Sequence, residues 1–205
     1  MKLHWSPRSP FVRKVMIVLH ETGQLEDVHL VRTPVAMSEP NLDLLPDNPL
    51  IKLPTLVLDD GYALYDSRVI CEYLAQRAAS LVFPTDPDRR IRALRQQALG
   101  DGLLDVLLLF RQERNKPREK QTQAWLDAFA LKVDAALASL EKSFSAQLPQ
   151  EFDIGAISTG CALSYIDYRF PDLDWRGRAP AVAGWHEQTF MRRPSVVNTE
   201  PTQEP

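Results

Sequence analysis

The order of apolar and polar positions in the first third of the chain predicts alternating strands and helices. Residues 2–5, Lys-Leu-His-Trp, alternate polar and apolar side chains and indicate a short strand. Apolar side chains then recur at helical spacing over residues 11–19, and Gly23 is typical of a helix C-terminus. Residues 27–32 alternate enough to predict a second strand. The polar, proline-interrupted residues 33–48 predict a loop or an irregular helix.

A hairpin and a helix are predicted next. The apolar residues 55–58 are typical of a buried strand, and an Asp-Asp-Gly turn ends them at residues 59–61. Residues 62–65 return as the second hairpin strand and lead into a helix over residues 68–78. The resulting order is β-α-β-(α)-β-β-α, which predicts an α/β layer.

The pattern beyond residue 87 is helical. Residues 82–87 contain two prolines and indicate a linker. Apolar stripes at helical spacing then alternate with breaks such as Lys116-Pro117-Arg118. The third stripe is apolar on every side, so we expect that helix to be buried all round. The predicted helices cover residues 91–110, 126–144, 155–168 and 181–191.

Three details of the helical half give separate predictions. Asp153 is a predicted N-cap for the third helix, although Ala156 cannot complete a reciprocal cap. Gly100 and Gly102 interrupt a long helix, where each costs about 1 kcal/mol against Ala. Close packing explains the two glycines better than room for a ligand does. Cys161 falls in the buried helix, so we interpret it as a core residue.

Composition and charge exclude several classes of function. The 205 residues include 24 Lys and Arg against 27 Asp and Glu, a formal net charge of −3. No basic block suited to nucleic acid is evident. The four histidines lie far apart and the two cysteines form no CxxC motif, so neither a metal site nor a redox pair is predicted. The aliphatic runs are far below membrane length, and we expect a cytoplasmic protein.

The segment around Pro54 carries the clearest sign of a binding site. Proline is tolerated at the first residue of a strand because it has no N–H for the ladder. If the Leu53–Pro54 bond is cis, Leu53 offers its N–H and C=O to an extended peptide, as a sheet edge does. Beyond the hairpin, Asp66 and Ser67 stand at a predicted helix start, which favours an anion. The two features together predict a site for a small peptide with charges at both ends.

The same residues resemble the glutathione S-transferase superfamily, in particular its bacterial members with a serine-type active site. The resemblance rests on Asn48-Pro49, on Lys52-Leu53-Pro54-Thr55-Leu56, and on Asp66-Ser67. It implies a thioredoxin-like α/β domain with a mixed four-stranded sheet over residues 1–80. It also implies an all-α helical bundle over residues 87–205, and it favours a cis Leu53–Pro54 bond. Ile51 stands where many members have Gly; because a β-branched residue resists positive φ, we expect this loop to differ in shape.

The resemblance also implies roles for individual residues in binding glutathione. Lys52 would pair with the glycine carboxylate, and the backbone of Leu53, turned by Pro54, would clamp the peptide. Asp66 and Ser67 would hold the amine and the carboxylate of the γ-glutamyl group. Helix capping is the ordinary alternative for Asp66 and Ser67, and the two roles can coexist.

Ser9 is the predicted catalytic residue. In serine-type members a Ser in a Ser-Pro-Phe stretch after the first strand faces the glutathione sulfur, and Ser9-Pro10-Phe11 matches that pattern. Ser6 is also followed by proline and is the rival. A role for Ser9 as helix N-cap alone is the simpler alternative.

The function implied by the resemblance is transfer of glutathione, a co-substrate, to a small hydrophobic electrophile by a homodimer. A glutathione-dependent isomerase, dehalogenase or disulfide reductase is an alternative on the same scaffold. A non-catalytic, glutathione-binding regulatory protein is an alternative of another class, because a fold does not determine a function.

Overall fold

A computed structural model describes residues 1–36 and 39–201. They form two compact units, one of residues Met1–Asp86 with the segment that begins at Pro194, and one of residues Pro87–Arg193. The strands are β1 (Lys2–Trp5), β2 (His29–Arg32), β3 (Thr55–Val57) and β4 (Ala63–Leu64). The helices are α1 (Pro10–Glu21), α2 (Ser67–Arg77), α3 (Pro87–Arg114), α4 (Gln123–Ala146), α5 (Ile154–Arg169), α6 (Trp175–Arg178), α7 (Pro180–Trp185) and α8 (Pro194–Val197).

The first unit contains the predicted mixed four-stranded sheet, in the order β2-β1-β3-β4. β1 and β2 are parallel because α1 provides the crossover between them. β3 pairs antiparallel with both β1 and β4. A tight turn joins β3 to β4, and Gly61 adopts a φ of 85° there. Of the predicted loop over residues 33–48, Met37 and Ser38 lie outside the described residues, and a short 3₁₀-helix occupies Leu42–Leu44.

Helices α1 and α2 begin and end where local signals predict. Ser9 is the N-cap of α1 and Pro10 its first residue. Gly23 follows the C-cap with a φ of 65°, a conformation that glycine adopts without steric penalty. Both helices contribute to a core with the sheet, whose fully buried side chains include Leu3, Val15, Leu56, Ile70 and Leu74.

The second unit is helical, and α5 lies at its centre. Every residue from Ile154 to Ile166 is buried, as the apolar pattern predicts. Close approach of neighbouring segments requires glycine at three positions, Gly100, Gly155 and Gly160; a Cβ at Gly155 of α5 would lie 2.8 Å from the Ala93 carbonyl oxygen of α3. A Cβ at Gly100 of α3 would lie 2.7 Å from the Ser158 carbonyl carbon of α5. A Cβ at Gly160 of α5 would lie 2.1 Å from the Phe190 ring.

The glycines of α3 therefore have different explanations. Gly100 is needed for packing, which confirms the prediction at that position. An added Cβ at Gly102 would meet no atom of the described chain within 4 Å, so packing within this unit does not explain that glycine.

The start of α5 and the segment after it test two further predictions. Asp153 caps α5 by accepting a hydrogen bond from the Ala156 N–H at 2.9 Å, as predicted. Burial raises the pKa of the Asp153 carboxyl above its ordinary value of 3.8. The single helix predicted over residues 181–191 is instead α7 followed by a π-helical turn, His186–Phe190. The apolar spacing of an α-helix does not reveal that one of its turns is π-helical and contains an extra residue.

The segment that begins at Pro194 belongs to the first unit. The prediction from sequence instead placed all of residues 87–205 in the helical domain. Residues 202–205 lie outside the described chain. Arg13 of α1 donates to the Val196 carbonyl at 3.3 Å, and the Ser195 hydroxyl donates to Glu21 at 2.5 Å. These contacts join positions more than 170 residues apart, so local patterns could not indicate them. Among the described residues, no helix combines the length and apolarity needed to cross a membrane.

Candidate glutathione site

The loop that enters β3 leaves backbone groups available for a ligand. The Leu53–Pro54 peptide bond is cis, as predicted. Pro54 is buried and Leu53 half-buried. Neither the N–H nor the C=O of Leu53 makes a hydrogen bond to the part of the chain that the structure describes. An extended peptide can use both groups in the manner of an added strand.

The same loop contains a strained residue. Ile51 adopts a φ of 51°, the left-handed conformation that glycine favours. The expectation that a β-branched residue would avoid a positive φ at this position is therefore wrong. The loop is held by hydrogen bonds, among them the one from the Ile51 N–H to the Asn48 carbonyl at 2.9 Å. Hydrogen bonds of this kind can maintain a conformation that the residue itself disfavours.

A second corner lies at the start of α2. Asp66 caps the helix by accepting a hydrogen bond from the Arg68 N–H at 2.9 Å. Ser67 is only 2 % exposed, and its hydroxyl makes no hydrogen bond to any described residue. The hydroxyl oxygen is not one of the buried atoms that lack a partner, so it remains accessible and is able to donate to an anion at this helix start. The Tyr65–Asp66 bond is also cis, which sequence reasoning did not predict.

Strand pairing brings the two features together. β3 and β4 pair antiparallel with Leu56 opposite Leu64. Pro54 directly precedes β3, and Asp66 follows the end of β4 by two residues. In an antiparallel pair the start of one strand lies beside the end of the other, so the backbone clamp and the anion corner are at the same end of the hairpin.

The loop that contains the two candidate serines starts at the same end of the sheet. β1 pairs antiparallel with β3, with His4 opposite Thr55, so its C-terminal end adjoins Leu53. The Ser9 hydroxyl oxygen accepts a bond from the Val12 N–H at 3.3 Å. The Ser6 oxygen accepts one from the Arg8 N–H at 3.4 Å. Neither hydroxyl donates to a described residue, so each is able to donate to a ligand, and only Ser9 stands at a helix N-terminus.

Lys52 is the remaining predicted binding residue. Its side chain is exposed, and it forms no ion pair with another residue in the described ranges. A lysine in this state can pair with a carboxylate of a ligand. It can equally remain a solvated surface cation.

The side chains that hold Asp47, which directly precedes the loop over residues 48–55, were not identified from the sequence. His4 of β1 places Nδ1 2.8 Å from the Thr33 hydroxyl and Nε2 2.8 Å from the Asp47 carboxylate. Lys2 donates to the same Asp47 oxygen at 2.7 Å. This hydrogen bond from Lys2 holds the pKa of Asp47 below its ordinary value of 3.8. These residues are scattered in sequence, and only the pairing of β1 with its neighbours brings them together.

The described residues contain no cluster of three or more His, Cys, Asp or Glu that could hold a metal ion. Cys71 of α2 and Cys161 of α5 are both buried, and for Cys161 this agrees with its interpretation as a core residue.

Comparison with known proteins identifies the family. The model of the glutathione S-transferase N-terminal domain matches residues 3–81, and that of the C-terminal domain matches residues 123–188. The chain is 31% identical over 206 residues to the uncharacterized GST-like protein YibF of Escherichia coli (strain K12), with 98% of each chain covered.

Solved structures give the same result. A glutathione transferase family member from Pseudomonas fluorescens Pf-5, crystallised with bound glutathione, is 44% identical with a TM-score of 0.93 and 98% of each chain covered. A glutathione S-transferase from Methylobacillus flagellatus KT with bound glutathione is 34% identical with a TM-score of 0.88, covering 98% of this chain and 99% of that one. The sequence motifs, the mixed sheet with its helical partner unit, and these comparisons agree that the chain belongs to the glutathione S-transferase superfamily.

Proposed function

We propose that this protein binds glutathione at the clamp and corner of its first unit, stabilises the thiolate, and adds it to a small hydrophobic electrophile. The observation that carries the proposal is the pair of unused groups at the same end of the β3–β4 hairpin. The Leu53 backbone groups and the Ser67 hydroxyl both lack partners among the described residues. An extended peptide with an anionic end can form hydrogen bonds to the N–H and C=O of Leu53 and accept one from the Ser67 hydroxyl.

The assignment of roles follows the chemistry of glutathione. The cysteinyl backbone pairs with the N–H and C=O of Leu53, which the cis bond to Pro54 holds in place. The γ-glutamyl carboxylate binds the Ser67 hydroxyl and the N-terminus of α2, and its amine binds Asp66. Lys52 pairs with the glycine carboxylate. The glutathione held by the two solved relatives at 44% and 34% identity supports this choice of ligand.

The proposed chemistry needs a thiolate at neutral pH. A free thiol with a pKa of about 8.5 is only ~3% ionised at pH 7, and lowering that pKa by ~2 units requires about 2.7 kcal/mol. A hydrogen bond from the Ser9 hydroxyl to the charged sulfur supplies ~1.5–3 kcal/mol, and the α1 N-terminus adds ~0.3–1 kcal/mol. These two contributions are sufficient without a general base.

The test compares the two serines. In Ser9→Ala, loss of a hydrogen bond to the charged sulfur should raise the pKa of the bound thiol by ~1–2 units, with little change in affinity. Ser6→Ala is the matched control and should leave the titration unchanged. The measurement is the ultraviolet absorbance of the thiolate in the glutathione complex as a function of pH. A large shift in Ser6→Ala alone would assign the role to Ser6, and no shift in either would reduce Ser9 to a helix cap.

Turnover separates the transferase from its alternatives. Calorimetric titration with glutathione should show binding, and a panel of electrophiles should then be conjugated with release of product. Binding without turnover of any electrophile, isomerisable substrate, haloalkane or disulfide would favour a regulatory protein. Absence of glutathione binding would exclude every enzymatic form of the proposal.

We further propose that the chain acts as a homodimer in the cytoplasm, where glutathione keeps thiols reduced. In the dimer the N-terminal domain of one chain would contact the helical domain of the other. Exposed apolar side chains in both units, such as Leu50 and Leu131, support an interface. Sedimentation at micromolar concentration should give twice the chain mass, and a monomer would contradict the assembly.

A further inference from the structure

Asn48 begins the loop that presents Leu53, and its side chain points into that loop rather than to solvent. The residue is 1 % exposed. Its side-chain oxygen accepts a hydrogen bond from the Leu50 N–H at 2.9 Å. Its side-chain nitrogen donates to the Lys52 carbonyl at 3.1 Å and to the Thr55 hydroxyl at 2.9 Å. The partners fix the orientation of the amide, because an N–H needs an acceptor and a carbonyl needs a donor.

Thr55 closes the network. It is fully buried, and its hydroxyl donates to the Lys52 carbonyl at 2.9 Å while accepting from Asn48. The Lys52 carbonyl therefore receives two hydrogen bonds from buried side chains. The bond between Asn48 and Thr55 is buried and the two bonds to the Lys52 carbonyl are partly buried, so losing one donor leaves an acceptor incompletely satisfied.

The network explains how the loop maintains an unfavourable conformation next to the site. Pro49 suits the second position of the turn closed by the bond from the Ile51 N–H to the Asn48 carbonyl. Ile51 then reverses the chain at a φ of 51°. The hydrogen bonds from Asn48 and Thr55 hold the Lys52 carbonyl oxygen in place. Because that oxygen and the Leu53 N–H belong to the same peptide plane, the direction of the Leu53 N–H is fixed as well.

We propose that Asn48, acting with Thr55, is a positioning residue for the tripeptide: it fixes the Lys52–Leu53 peptide and so aims the Leu53 backbone at the ligand. This inference rests on the proposed binding of glutathione. It assigns a role in affinity to two buried residues that touch no ligand atom. Asn48→Ala should weaken glutathione binding about tenfold, equivalent to about 1.4 kcal/mol.

Gln24 offers a matched control in the same unit. It is also a buried amide, 6 % exposed, which donates to the Leu74 carbonyl and the Thr22 hydroxyl and accepts from Arg77. Gln24→Ala removes the same number of hydrogen bonds far along the chain from Lys52. It should lower the urea midpoint of unfolding and leave the glutathione dissociation constant within about twofold.

A second pair of variants addresses the possibility that Asn48→Ala does not fold. Thr55→Val conserves shape and removes one donor to the Lys52 carbonyl, so it should weaken binding about threefold to tenfold. Thr55→Ser retains the hydroxyl and should restore the dissociation constant to within about twofold of the original. A purely structural role for Thr55 would not distinguish these two by affinity.

The experiment measures two quantities on each full-length variant: amide hydrogen exchange at Ile51, without ligand, and the calorimetric dissociation constant for glutathione. Exchange should accelerate about tenfold in Asn48→Ala and not in Gln24→Ala. Unchanged exchange at Ile51 would overturn the inference, whatever the protein binds.

Unchanged affinity in Asn48→Ala, or equal losses in Asn48→Ala and Gln24→Ala, would also overturn the inference. If the original protein binds no glutathione while exchange accelerates as expected, the proposed function fails and the loop-fixing role of Asn48 stands without a ligand. The two failures are therefore distinguishable.

Discussion

Two regions of this protein, one in each unit, keep their backbones in place by different interactions. In the loop over residues 48–55, buried polar side chains hold the backbone through hydrogen bonds to Lys52 and Leu50. Where α3 meets α5, the absence of a side chain at Gly100 lets one backbone approach the other. Directional hydrogen bonds hold the loop, whereas van der Waals packing of two helix surfaces holds α3 against α5.

The difference predicts different responses to substitution. Directional bonds can fix a peptide plane, which is what a binding site needs. Close packing fixes distances between elements and resists any added volume. Changes in the loop should therefore alter ligand affinity more than stability, whereas changes at the helix contact should alter stability alone.

The largest effect is expected from Gly100→Ala. The new Cβ would meet the Ser158 and Thr159 backbone within 2.9 Å, and backbone atoms cannot move aside as a side-chain end can. Overpacking of this kind costs about 1–3 kcal/mol, and we expect the upper end in urea unfolding because two helices must separate.

Gly102→Ala, two positions along the same helix, is the control. No atom of the described chain lies within 4 Å of its added Cβ. Better helix propensity should then stabilise the protein by up to about 1 kcal/mol. Equal effects of the two substitutions would contradict the idea that contact across α3 and α5 determines the outcome.

A smaller effect of opposite sign is expected from Ile51→Gly. A left-handed L-residue costs roughly 1–2 kcal/mol, and the greater freedom of unfolded glycine offsets about 0.5–1 kcal/mol of the relief. The free energy of unfolding should therefore rise by up to about 1.5 kcal/mol. Ala79→Gly is the control, because Ala79 also has a positive φ, 48°, but follows α2. If Ile51→Gly lowers the unfolding free energy while Ala79→Gly raises it, contacts of the Ile51 side chain outweigh the strain.

The smallest effect is expected in the pH dependence of stability. The pKa of Asp47 is held below 3.8 by the hydrogen bond from Lys2, so the unfolded state binds more protons between the two values. Asp47 thus contributes stability that is present above pH 3.8 and is lost as the pH falls through the lowered pKa. Asp47→Asn should flatten the acid side of a plot of unfolding free energy against pH.

Asp153, at the start of α5, should do the reverse. Burial raises its pKa above 3.8, so the folded state binds more protons and stability falls as the pH rises from 3.8 through the raised value. Asp153→Asn, which can still cap the helix, should make the same plot rise more steeply with pH. A change of equal sign in both variants would contradict the opposite environments of the two carboxylates.

The sequence by itself determined the order of the elements and the start of each well-marked helix. Ser9 before Pro10, Asp153 before α5 and Gly23 after α1 act through their nearest neighbours, so a local pattern is enough to place them. The cis bond at Pro54 was predictable because the family motif carries it. The buried α5 was predictable because its residues are apolar on every side.

Only the tertiary structure decided which residues meet. Gly100 and Gly102 are the same residue two positions apart, and only the placement of α5 distinguishes them. Ile51 disfavours its own φ, and the hydrogen bonds of the buried Asn48 side chain to Leu50, Lys52 and Thr55 hold the loop around it. Residues from Pro194 onward join α1 through Arg13 and Glu21, for which no local signal exists. A local sequence pattern indicates whether a residue tends to be buried, whereas strand register and helix packing determine which residues it contacts.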